Sequence, residues 1–155
     1  MIAIAGHTFD EFYARSWPVL VGFAATLTRD ASASAEIAQE ALARTWARWP
    51  VLREPMAFAA RVTRNLAVDH LRRRGREVPT DQVPDAVVAP VADPALLELV
   101  RALPPRLRDV VLLHYFVDLS VAEVATVLRR PVGTVKRRLH EARALLAVEI
   151  GDDRD

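Results

Sequence analysis

The chain of 155 residues contains no cysteine, which excludes a disulfide scaffold, a thiolate zinc site, a cysteine nucleophile and an iron–sulfur cluster. It also lacks any run of about 18 uninterrupted apolar residues. Its first 15 residues hold His7, Asp10, Glu11 and Arg15, where a targeting peptide would place a basic start and an apolar stretch. A protein working in the cytoplasm is expected. Glycine is scarce, 5 against 10 prolines, and aromatic residues make up 6%. With 52% apolar and 26% charged residues, that balance excludes a collagen-like or disordered chain and fits a helical globular protein. His7, His70, His114 and His140 show no metal-ligand spacing and no serine sits in a nucleophile motif. No catalytic residue, metal or cofactor is therefore expected.

What the chain does have is arginine, and its placement is uneven. Lys136 is the single lysine among 21 basic residues. The formal net charge of +1 conceals a segregation along the chain. Residues 50–76 hold seven Arg against two acids, residues 77–100 hold five acids and no cation, and residues 120–146 hold six cations against two acids. Two basic blocks separated by an acidic connector point to polyanion contacts on two separate modules. The connector carries Pro79, Pro84 and Pro90 with Asp81 and Asp85 between them and has no helical periodicity, so it reads as an extended, flexible linker over residues 75–93. Asp93-Pro94 then starts a helix, with Asp as N-cap and Pro in the first turn. An all-α protein of two small helical domains is predicted, at residues 1–74 and 94–149, with 150–155 as a tail.

In the second domain, Ser120-Val121-Ala122-Glu123 forms a capping box, and Val121, Val124, Ala125 and Leu128 recur at helical spacing. Arg129-Arg130-Pro131 breaks that helix after about two turns. A following helix from near Val132 has Val135, Leu139, Ala142 and Leu146 on one stripe, and its other face carries Thr134, Lys136, Arg137, His140 and Glu141. A short capped helix, a tight turn and an amphipathic helix with a basic outer face are the pattern of helix-turn-helix DNA binding. Leu103-Pro104-Pro105-Arg106 opens a preceding helix whose apolar run, Val110 to Phe116, supports the hairpin.

In the first domain, residues 35–46 place Ile37, Ala41 and Leu42 inward and Glu36, Gln39, Glu40 and Arg44 outward. Glu54-Pro55 starts a helix in which Phe58, Val62 and Leu66 are expected to face a core. On its polar stripe lie Arg61, Asn65, Asp69 and Arg72, beside Arg73 and Arg74. Asn and Asp are poor formers of helix interiors, so their placement on an Arg-rich stripe points to recognition, with amide and carboxylate reading base edges and Arg contacting phosphates. The spacing of Trp46 and Trp49 predicts core packing for both.

The stretch Leu103 to Leu146 resembles region four of the bacterial sigma factors, in which a Leu-Pro-x-x-x-Arg helix precedes a helix-turn-helix ending in Gly-Thr-Val-Lys-x-Arg-Leu, here residues 133–139. The first domain resembles region two of the extracytoplasmic-function sigma factors, especially an actinobacterial sigma-E-like branch, through Phe9, Phe12 and the string Ala35 to Trp46. The resemblance implies that Glu36, Gln39, Glu40 and Arg44 bind core RNA polymerase. It further implies that the Trp49–Ala57 loop reads the minus-ten promoter element together with Arg61, Asn65, Asp69, Arg72 and Arg73, and that Thr134, Lys136, Arg137, His140 and Glu141 read the minus-thirty-five element. Core polymerase, promoter DNA and an anti-sigma factor are the partners implied. This chain departs from the family pattern at Ile37 (often Asp), Arg129 (Gly), Arg137 (Ser) and Glu141 (commonly Arg). A stand-alone helix-turn-helix regulator acting without polymerase is the alternative reading. The first 74 residues discriminate, because such a regulator would place a ligand or dimer domain there rather than a second basic helix.

Overall fold

A computed structural model describes residues 8–75 and 93–152, with side chains described as far as residue 148. The chain divides into two compact units, the division falling between residues 90 and 91. Every element among the described residues is helical. The linker expected at 75–93 lies almost wholly outside the described residues.

The first unit is a three-helix bundle of α1 (Phe9–Thr28), α2 (Ala31–Ala47) and α3 (Pro55–Arg74), with a 3₁₀ turn at Trp49–Val51. Thr8 caps α1 by accepting from the Glu11 N–H, and Asp30 caps α2 by accepting from the Ala33 N–H at 3.0 Å. These caps satisfy backbone donors that have no partner in the first turn of a helix. α2 begins one turn earlier than the apolar pattern alone predicts, because Asp30 supplies that cap. Between α1 and α2 the chain reverses through Arg29 at φ 56°, while the buried Thr28 hydroxyl contacts the Ser34 hydroxyl at 3.1 Å.

Phe12, Leu20, Ala38, Leu42, Trp49 and Ala59 form the centre of the bundle, with Phe9, Trp17, Val21 and Met56 packed against it. Ile37, Ala41 and Leu42 are buried as expected. In α3 the inward face differs from the predicted one. Val62 is buried, but Phe58 and Leu66 are only half-buried, and Ala57, Ala59, Ala60, Thr63 and Ala67 fill the interior. Small side chains let α3 lie close against its neighbours, which leaves Phe58 at the margin.

The second unit contains α4 (Pro94–Arg101), α5 (Pro105–Val111) continuing into a π-helical turn at Leu112–Phe116, α6 (Val121–Leu128) and α7 (Val132–Asp152). Asp93 caps α4 by accepting from the Ala95 N–H, and Ser120 and Glu123 form the predicted capping box with both of its hydrogen bonds made. Val100, Leu107, Val110, Leu113, Val124, Val135, Leu139 and Ala142 are fully or almost fully buried. The Val117 N–H donates to the Leu112 carbonyl at 2.9 Å, and His114 Nδ1 donates to the Leu119 carbonyl at 2.8 Å, closing the chain before α6. α7 continues to Asp152, into the segment expected to be a tail.

Candidate functional site

Glu36, Gln39, Glu40 and Arg44 are exposed along one side of α2, while Ala38, Ala41, Leu42 and Thr45 are buried on the other. Arg44 Nε donates to Glu40 Oε1 at 2.8 Å, an i,i+4 pair with both side chains 52% exposed. The pair preserves a polar, nearly neutral surface. Beyond Arg44 the same helix carries Trp46, which is 51% exposed, contrary to the core position predicted for it. The buried position one turn after Leu42 is taken by Thr45, so Trp46 falls outward and rests against Phe9 with ring centroids 4.8 Å apart. Trp49, in the 3₁₀ turn, is buried against Phe9 and Phe12.

The Trp49–Ala57 segment is not a loop throughout. Trp49 is part of the core, α3 begins at Pro55 and Ala57 is buried, so only residues 50–54 form an accessible connection. From there α3 presents Asn65, Asp69, Arg72 and Arg73, all exposed, with Arg61 half-buried at the start of the stripe. The far end of α3 is tied to the start of α2: Arg74 Nη1 donates to Asp30 Oδ2 at 3.2 Å, and His70 Nε2 lies 3.6 Å from the same oxygen. Arg61 and Arg48 both pack on the Phe58 ring, at 5.6 and 5.7 Å from its centroid. Arg48 had no sequence signal, because it closes α2 outside any periodic stripe and its ring partner is ten positions away in the next helix.

In the helix-turn-helix, α6 ends at Arg129 in the left-handed region (φ 54°, ψ 49°), the conformation that favours Gly. α7 then presents Lys136, Arg137, His140 and Glu141 to solvent and half-buries Thr134, with Val135, Leu139 and Ala142 turned inward. A Cβ at Gly133 would meet nothing within 4 Å, so the first turn of α7 has a bare outer surface. Glu141 is not a free carboxylate: Arg106 Nη2 of α5 donates to its Oε2 at 2.8 Å. Tyr115, in the π-helical turn and 51% exposed, accepts from Arg143 Nε of α7 and lies beneath its guanidinium. Among the described residues no group of His, Asp and Glu is placed to hold a metal ion, and no helix is long and apolar enough to cross a membrane.

Two all-helical units in one chain, each with an exposed Arg-bearing face and one containing a capped helix-turn-helix, define a modular DNA-binding transcription protein. Residues 12–77 match Sigma-70 region 2, and residues 94–146 match Sigma-70, region 4. The RNA polymerase sigma-E factor of Streptomyces avermitilis is 35% identical over 151 residues, covering 92% of this chain and 84% of that protein. The probable RNA polymerase sigma factor RfaY of Xanthomonas campestris is 34% identical over 149 residues, and the match spans 84% of this chain but 37% of that longer protein. Among solved structures, the sigma factor RpoE of Bartonella quintana, crystallised with the anti-sigma factor NepR, has the same fold, with TM-score 0.70 and 22% identity over 89% of this chain and 93% of that one. The chain belongs to the sigma-70 family of RNA polymerase sigma factors, in its extracytoplasmic-function branch.

Proposed function

We propose that this protein is a promoter-specificity subunit, which binds core RNA polymerase in the cytoplasm, directs it to particular promoters and has no catalytic activity of its own. The observation that carries this reading is the presence of regions 2 and 4, in that order, in one chain aligned with 84% of a sigma-E factor. Residues 1–74 and 94–149 are the two working modules, and residues 75–93 join them.

Glu36, Gln39, Glu40 and Arg44 dock on polymerase. Their support is a continuous exposed polar face on a helix whose opposite side is locked into the core. Arg61, Asn65, Asp69, Arg72 and Arg73 contact the minus-ten element with residues 50–54. Thr134, Lys136, Arg137, His140 and Glu141 contact the minus-thirty-five element, Lys136 and Arg137 through phosphates and Glu141 through a base edge. An anti-sigma protein is the partner that would hold the factor inactive, a proposal prompted by the partner in the Bartonella complex.

Co-purification with core polymerase, followed by run-off transcription on genomic fragments, tests the reading. Promoter-dependent transcripts that require the added protein are expected, and failure to associate with core enzyme would overturn it. A stand-alone regulator would bind DNA through residues 94–149 and be indifferent to Glu40→Arg, a change expected here to weaken association with the polymerase.

A further inference from the structure

In the second unit three arginines are held by partners within the unit. Arg101 donates to Glu98 at 2.7 Å, Arg106 to Glu141 at 2.8 Å, and Arg143 to the Tyr115 hydroxyl. Arg129, Arg130, Lys136 and Arg137 are different. All four are exposed, and among the described residues none of their side chains makes a hydrogen bond, an ion pair or a ring contact. Exposed, unpartnered cations thus gather in the turn between α6 and α7 and in the first two turns of α7. Lys136 and Arg137 already belong to the proposed minus-thirty-five contact, whereas Arg129 and Arg130 lie outside it.

The turn needs neither of these two side chains. The Arg129 N–H donates to the Thr126 carbonyl at 3.3 Å and the Arg130 N–H to the Ala125 carbonyl at 3.0 Å, so the backbone alone closes α6. Arg129 holds φ at 54°, a conformation that a Cβ disfavours and that glycine adopts freely. An arginine there works against the fold, and strain of this kind persists where another use depends on it. Its location supplies that use. When the second helix of a helix-turn-helix meets base edges with its N-terminal residues, the turn before it stands at the edge of the groove, beside the phosphates. Pro131, Val132 and Gly133 are exposed and a Cβ at Gly133 would meet nothing within 4 Å, so the approach to the turn is open. A phosphodiester carries one charge and two free oxygens, which a guanidinium fork meets with parallel hydrogen bonds.

We infer that Arg129 and Arg130, in the turn between α6 and α7, form a binding site for the phosphodiester backbone of duplex DNA at the edge of the groove that α7 enters. The inference rests on the proposed function for the presence of that DNA, and it adds two contacts outside the helix face already assigned. Neither side chain projects from α7, so the pair anchors the unit on any sequence and leaves base reading to the helix.

The test uses the full chain and fluorescence anisotropy of a labelled duplex of mixed sequence across a potassium chloride series. Arg129→Gly and Arg130→Ala should each reduce the magnitude of the log–log salt slope by about 0.9, and the double variant by about 1.8. Arg129→Lys and Arg130→Lys should keep the slope and lower the affinity, since they retain the charge but lose the fork. Arg29→Gly, which relieves the same left-handed conformation at an exposed arginine of the first unit, should leave the slope unchanged. The ranking of a randomised duplex pool should be the same for the wild type and the double variant, with far-UV circular dichroism confirming that each variant is folded. An unchanged slope in Arg129→Gly or in Arg130→Ala overturns the paired site. A changed ranking overturns the assignment to the backbone. Displacement of the duplex by inorganic phosphate at matched ionic strength would overturn the assignment to DNA and make the turn a free-phosphate site. Co-purification with core polymerase is scored on the same variants, so slope changes without core association would leave this site standing and overturn the proposed function.

Discussion

Glu141 of α7 accepts from Arg106 of α5 at 2.8 Å, joining two residues 35 positions apart on a surface where both are about half exposed. Exposed pairs of this kind contribute about 0.2–1 kcal/mol, so the contact orients the carboxylate more than it stabilises the fold. It occupies Oε2 and leaves Oε1 to accept from a cytosine amino group. Glu141→Gln should shift preference at one base pair of the minus-thirty-five element by about 1–3 kcal/mol. Arg106→Ala should produce a smaller shift at the same base pair. Binding profiles against a randomised minus-thirty-five library check both. Uniform tightening to all sequences in Glu141→Gln would mean that the carboxylate merely repels phosphate.

Asp30 joins the start of α2 to the end of α3 through its capping bond and Arg74. Asp30→Ala should lower stability by about 1–2 kcal/mol, mostly from the lost cap, the partly exposed ion pair adding less. Asp30→Asn keeps a capping side chain and should cost less than half as much. Urea midpoints of the three proteins, at constant denaturant slope, measure the difference.

Arg129 adopts a left-handed backbone conformation with no glycine to relieve it. Arg129→Gly should raise stability by about 1 kcal/mol, because the steric cost of a side chain there is about 1–2 kcal/mol and the added freedom of the unfolded chain returns part of it. The urea midpoint should therefore rise, and a fall would show that the Arg129 side chain contributes contacts worth more than the strain.

Gly133 has open space around it, so Gly133→Ala should raise stability by about 0.4–1 kcal/mol. If the first turn of α7 lies against DNA, the same methyl group should weaken minus-thirty-five binding. Opposite signs in unfolding and DNA-binding experiments are the expected result.

Asn65→Ala and Lys136→Ala separate reading from anchoring. The first should flatten preference at the minus-ten element by about 1–3 kcal/mol at one position without altering the fold. The second should weaken binding to all minus-thirty-five sequences and reduce the salt slope by about one. Unchanged promoter ranking with Asn65→Ala in a randomised minus-ten library would make Asn65 an ordinary surface residue.

Local chemistry made much of this architecture legible. Asp93-Pro94 and the Ser120–Glu123 box specify helix starts through hydrogen bonds within one turn, and both are present. Val135, Leu139 and Ala142 stand out by period alone, as do Ile37, Ala41 and Leu42. What stayed hidden depends on distance or on weak side-chain signals. Alanine does not mark a face, so the apolar pattern of α3 points Phe58, Val62 and Leu66 inward, whereas only Val62 of the three is buried and Ala59, Ala60 and Ala67 occupy that side. The spacing of Trp46 and Trp49 points both inward, but Trp49 lies in the 3₁₀ turn beyond α2, and within α2 the buried position belongs to Thr45. The partners Arg106 and Glu141, or Arg48 and Phe58, meet only after their helices have packed.

Ala38, Ala41, Ala59, Ala60 and Ala67 are all fully enclosed, with Ala38 of α2 and Ala59 of α3 in one cluster. At such positions nearly every replacement is larger, and overpacking a tight interior costs about 1–3 kcal/mol, so the interior leaves descendants little room for neutral drift. Divergence is channelled to the outward residues of the same helices. A lineage built on this bundle can change which promoter it answers to while its helix axes stay in register, and duplicated copies could acquire separate regulons from a few surface substitutions.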